Sequence, residues 1–166
     1  MTDTYLSTSR RGRVIAAKLI VGLGSGAVLG IVSCITAVIG TVIGIAAKGA
    51  TADWGDPELW RTLVGGLAWN ITFAAIGVGI GALIRNLAGA VAAALAWLAL
   101  IEGVIAQLVG DDVARWLPFA AGMALGRSPA AIDSGLPQWG AAILLTSYAA
   151  VAATLATRTT IRRDVA

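Results

Sequence analysis

Long uncharged apolar runs alternate with short charged clusters along the whole chain. Four windows stand out: residues 19–47, 62–84, 86–110 and 134–157. The third contains a single charge, Glu102, and the others contain none. A helix needs about 20 apolar residues to cross a hydrocarbon core of roughly 30 Å, so each window predicts a crossing. The first is long enough to tilt or to begin as an interfacial helix. Pro137 predicts the start of the fourth, because proline suits the first turn of a helix. Residues 116–126 are also apolar but too short to cross, and Arg115 and Arg127 hem them in. They predict an interfacial or re-entrant piece on the outer face. Residues 49–61, with Trp54, Pro57 and Trp60, predict a short amphipathic stretch near the outer headgroups. Arg85-Asn86 then forms a tight inner hairpin between the second and third spans.

The expected fold is therefore all-α, a polytopic helical membrane protein with about four transmembrane helices and short outer interfacial or re-entrant helices. Its expected parts are a cytoplasmic amphipathic segment (1–18), a four-span domain (19–157) and a basic cytoplasmic tail (158–166). Composition agrees. Of the 166 residues 58% are hydrophobic and only 13% charged, with a mean hydropathy of +0.85. A soluble domain of this size lacks the polar surface to cover so much apolar material. The pI of about 9.6 is explained by topology rather than by nucleic acid, because the basic residues flank the apolar runs. Placing the N-terminus inside puts Arg10, Arg11, Arg13, Lys18, Arg85, Arg158, Arg162 and Arg163 in the cytoplasm. Lys48, Arg61, Arg115 and Arg127 are left outside. The positive-inside rule favours that orientation, with both termini cytoplasmic in a plasma membrane. Trp54, Trp60, Trp116 and Trp139 then form an outer aromatic belt.

The side chains available for chemistry are few. There is no histidine, and Cys34 is the only cysteine, so no internal disulfide and no Cys/His metal site can be assembled. No paired carboxylates share an apolar face, and no Gly-x-x-x-x-Gly-Lys-Ser/Thr loop is present, so the chain is expected neither to catalyse a reaction nor to hold a cofactor. Glu102 is the one charge well inside a span. Such a residue costs at least ~2.5 kcal/mol in isolation and usually faces a protein interior or a watery path. Asn70 and Gln107 are its polar companions, candidates for a substrate path or for hydrogen bonds between helices. Gly22, Gly26 and Gly30 recur every fourth residue, and Gly77 and Gly81 repeat that spacing in the second span. Small residues so spaced let helix backbones approach closely in lipid.

The N-terminal segment carries a further signal. Thr4-Tyr5-Leu6, then Ser9-Arg10-Arg11 and Arg13, then Ala16-Ala17-Lys18 lead into the first span. Glu58-Leu59-Trp60-Arg61 precedes a span ending Gly77-Val78-Gly79-Ile80-Gly81-Ala82-Leu83-Ile84-Arg85-Asn86. Trp116-Leu117-Pro118-Phe119-Ala120-Ala121-Gly122 precedes the last span. In this order the motifs resemble those of ABC-2 type transporter permeases, the membrane subunits of one class of ATP-binding-cassette exporters. The resemblance covers nearly the whole chain and corresponds to the C-terminal two-thirds of a family member. Permeases of this family usually have six spans, and this chain begins after the second. The expectation is a truncated reading of a longer gene, a naturally split subunit or a degenerate remnant. The resemblance implies partnership: a separate ABC ATPase subunit docking on a coupling helix, and a second permease copy forming a dimer in the lipid bilayer. Thr4, Tyr5, Leu6, Arg10, Arg11 and Arg13 would then face the ATPase, and substrate would move without any nucleic acid partner. The alternative is a small four-span structural or accessory protein with no transport role.

Overall fold

The computed structural model describes residues 11–51, 53–84, 86–131 and 135–162. Among these, all regular structure is helical. Four helices are long and apolar enough to cross a membrane: Ala17–Ala47, Pro57–Leu83, Leu87–Val109 and Gln138–Arg158. The chain is thus an all-α polytopic membrane protein, as its hydropathy pattern predicts.

Helix α1 (Arg11–Ala47) runs without a break from the basic segment through the first span. Helix α2 (Pro57–Leu83) opens with proline in its first turn, and Asp56 caps it by accepting from the Glu58 amide at 2.8 Å. The stretch 49–61, expected as a separate amphipathic piece, is therefore divided. Its first part is a loop with a turn at Trp54-Gly55, and residues from Pro57 onward already belong to the second span. The third span comprises α3 (Leu87–Ala96), one wide π turn (Trp97–Glu102) and α4 (Gly103–Val109). After the short α5 (Asp111–Ala114) come α6 (Pro118–Leu125) and a 3-10 turn (Pro129–Ala131). Helix α7 (Gln138–Arg162) is the fourth span and begins one residue after Pro137.

Helix α2 is the hub, with α1 along one side and α7 and α6 on the other. The α1 seam is a single ridge of small residues at four-residue spacing. A Cβ on Gly22 would collide with Val78. One on Gly26 would lie 2.9 Å from the Asn70 carbonyl oxygen and 3.1 Å from Ile71 Cα, and one on Gly30 would lie 3.1 Å from Asn70 Cβ. Cys34 extends the ridge, its Sγ donating to the Leu63 carbonyl at 3.4 Å. Backbones this close gain dispersion contacts that lipid cannot replace. Gly77 and Gly81 share the spacing but meet no neighbour, since a Cβ on either would find nothing within 4 Å. The glycine of that region that does face a helix is Gly79, whose Cβ would sit 2.6 Å from Ala152 Cβ on α7.

The true core lies elsewhere. Ala121, Ala124, Leu125, Ala131, Ala141 and Leu145 are buried together, with Trp69, Phe73 and Ile76 of α2 against them. Residues 116–126 thus pack into the chain's own core, with α6 against both α2 and α7. Trp54, Trp60, Trp116 and Trp139 are exposed, but the Trp116 carbonyl meets Tyr148 well along α7, so Trp116 does not share the level of Trp139 in one belt.

Candidate functional site

The re-entrant helix α6 poses a problem that its own residues do not solve. Its N-cap position is Leu117, which has no side-chain oxygen to accept the first free amides. Pro118 at the first helical position removes one of those amides. The next, Phe119 N–H, donates at 2.8 Å to Glu102 Oε2 in the third span. The cap is therefore supplied from another helix. The π turn makes this possible. In a regular α-helix, positions five apart are separated by about 140° around the axis. The wider turn brings Trp97 round to Glu102, and the indole Nε1 donates to Oε1 at 3.1 Å. Both carboxylate oxygens are thereby occupied and the side chain is 6% exposed. A carboxylate at a helix N-terminus is favoured by the aligned peptide dipoles. The two hydrogen bonds compensate part of the cost of burying the carboxyl group.

The rest of the wedge is held by contacts that no sequence pattern announced. Trp69 lies edge-on to Phe73 and Phe119, with ring centroids 5.9 and 6.0 Å away. The same indole fills the hollow above Gly122 and Gly126. At the other end of α6, Gln138 Nε2 donates to the Leu125 carbonyl at 3.0 Å and to the Arg61 carbonyl at 2.9 Å, tying three helices at one point. Gly65 permits this, because a Cβ there would strike the Leu125 carbonyl oxygen. Helix α6 ends in a Schellman-type turn, with Ser128 N–H on the Met123 carbonyl and Arg127 N–H on that of Ala124. Arg127 holds the left-handed position at φ 52°, which glycine usually takes, and its guanidinium pairs with Glu58 of α2. Tyr148 of α7 donates its hydroxyl to the Trp116 carbonyl at 3.1 Å. Tyr148 lies about 15 Å down α7 from Gln138, so the start of α6 is set well below its end.

Of the three polar candidates for a substrate path, Glu102 is the one seen to bond to a different element. Asn70 lies in the α1 seam, but its amide donates to the Gly66 carbonyl on its own helix at 2.9 Å. Gln107 is exposed on α4. The three share no hydrogen bond. Arg11 and Arg13 fall in the first turns of α1, while Thr4, Tyr5, Leu6 and Arg10 lie outside the described residues. No group of three or more His, Cys, Asp or Glu side chains poised to hold a metal occurs among the described residues. Glu102, with its acceptors filled by two N–H donors, is arranged to hold rather than to react. It joins the third span to α6. No protein family, no curated protein and no solved structure matches the chain.

Proposed function

We propose that the chain is a transmembrane permease subunit of an ATP-driven exporter of the ABC-2 type. It works in the plasma membrane with a separate ATPase subunit and a second permease copy. The reading rests on the ordered motifs of the N-terminal segment, the Gly77–Asn86 stretch and the Trp116–Gly122 stretch. The observation that carries it furthest is the continuity of α1 from Arg11 to Ala47. From Arg11 onward, a force applied to the helix meets no break before it reaches the glycine seam with α2. Closure of an ATPase pair would then shift the seam between two packings. The re-entrant wedge, clamped to the third span, follows as one body.

A four-span accessory protein without transport activity is the second reading. The observation in its favour is that Glu102, the one intramembrane charge, is committed to α6 rather than turned to an open path. Co-purification separates the two. The tagged chain, taken from its native membrane in mild detergent, is expected to bring down an ATPase bearing a Walker A loop. Replacing Arg10 and Arg11 by Glu is expected to abolish that association while leaving membrane insertion unchanged. Recovery of the chain alone, or binding indifferent to the charge reversal, would overturn the permease reading.

A further inference from the structure

The α1–α2 seam opens into a groove at each end, and the two grooves are electrostatic opposites. At the end where α1 begins and α2 stops, a groove of about 520 Å³ is walled by Val21, Gly22, Val78 and Gly81, with Lys18 at its rim. Among the described residues, Lys18 is the one charged side chain that lines it. At the far end, a smaller groove of about 300 Å³ is lined by Trp54, Asp56 and Glu58.

From this asymmetry we infer that the groove at Lys18 binds an anionic phospholipid, with its phosphate on the Lys18 ammonium and an acyl chain along Val21, Val78 and Gly81. The walls suit hydrocarbon because they are almost wholly apolar. Gly81 makes room for the chain: a Cβ there would meet nothing within 4 Å, so the missing side chain enlarges the groove without leaving a packing defect. Lys18 is exposed and long enough to carry its charge to the headgroup level while its stem lies on the apolar wall. Anionic rather than zwitterionic lipid is selected because a choline or ethanolamine cation would be brought beside the Lys18 ammonium, whereas an anionic headgroup adds no opposing positive charge. The groove at the other end of the seam, lined by Asp56 and by a Glu58 paired with Arg127, offers carboxylates in place of a lysine and serves as an internal control. This site does not depend on whether an ATPase docks.

The test is native mass spectrometry of the full chain in detergent, titrated with phosphatidylglycerol and separately with phosphatidylcholine. One phosphatidylglycerol per chain is expected to be retained in preference to phosphatidylcholine. Lys18→Gln is expected to weaken phosphatidylglycerol roughly fivefold, the effect of one basic residue at a lipid surface, and to leave phosphatidylcholine unchanged. Gly81→Leu fills the groove and is expected to weaken both lipids. Its unfolding temperature without added lipid reports whether it folds, and Lys18→Gln carries the test alone if it does not. Equal retention of the two lipids, or phosphatidylglycerol binding indifferent to Lys18→Gln, overturns the site. So does inorganic phosphate displacing phosphatidylglycerol at matched concentration, which would make the groove a site for free phosphate.

Discussion

Helix α1 and the third span flank the same core, and both leave most of their apolar surface uncovered. Only 6% of the most apolar window of the first span and 12% of that of the third are buried within the chain. They are attached by opposite means. Helix α1 is held along its length by backbone proximity at Gly22, Gly26 and Gly30, and Asn70, the polar residue of that seam, spends its side-chain amide on its own helix. The third span is joined to α2 through α3, to α5 through α4, and to the re-entrant helix through the carboxylate of Glu102. Leu95, Leu100 and Leu108 along it remain 61%, 63% and 78% exposed. In lipid, apolar exposure carries no penalty, so association is decided by close contact or by polar satisfaction. A distributed contact yields by degrees as a helix slides. A single carboxylate is either bonded or not.

This contrast predicts a ranking of effects. The largest is expected from Glu102→Ala, which leaves Phe119 N–H and the Trp97 indole without an acceptor. Each orphaned donor costs about 1–3 kcal/mol, so thermal unfolding in detergent should fall well below that of the parent. Glu102→Gln retains one acceptor oxygen and should lose less. Next comes the seam. Gly26→Val drives a branched side chain into Ala74 and the Asn70 carbonyl, and should cost about 1–3 kcal/mol as overpacking, measured the same way. A small effect of opposite sign is expected for Gly77→Ala, since the added methyl meets nothing and alanine is the better helix former by about 0.5–1 kcal/mol. A loss of stability there would show that Gly77 faces a partner outside the chain. The smallest net change is expected for Arg127→Gly. It relieves a left-handed backbone worth roughly 1–2 kcal/mol, gives up a half-exposed ion pair worth about 0–1 kcal/mol and adds unfolded-chain freedom that costs about 0.5–1 kcal/mol, so the terms nearly cancel.

The spans were legible because hydrocarbon thickness imposes a length that a charge count exposes. The windows 62–84 and 134–157 fall within a few residues of Pro57–Leu83 and Gln138–Arg162. Pro137 marked the start of the last one. Glu102 was legible as an anomaly but its partner was not, because the atom it binds is a backbone N–H, which every residue except proline carries. The uncapped Leu117-Pro118 start of α6 was the available hint that a cap must come from elsewhere. Glycine spacing identified a smooth face on both α1 and α2, yet spacing does not say whether anything lies against that face. Hence Gly22, Gly26 and Gly30 meet α2, while of the Gly77, Gly79 and Gly81 cluster only Gly79 packs on a neighbour, Ala152. Gly65 and Gln138 matter only because α6 ends beside them, a fact of tertiary structure alone.

The attachment of the third span through Glu102 is tested most directly by a distance across it. Spin labels on cysteines introduced at Leu108 and Trp139, both exposed, with Cys34 replaced by Ala, report the separation of α4 from the start of α7. The account predicts a narrow distance distribution in the parent and a broad, longer one in Glu102→Ala, with Glu102→Gln between them. The same narrow distribution in all three proteins would show that the third span is held by something other than this carboxylate.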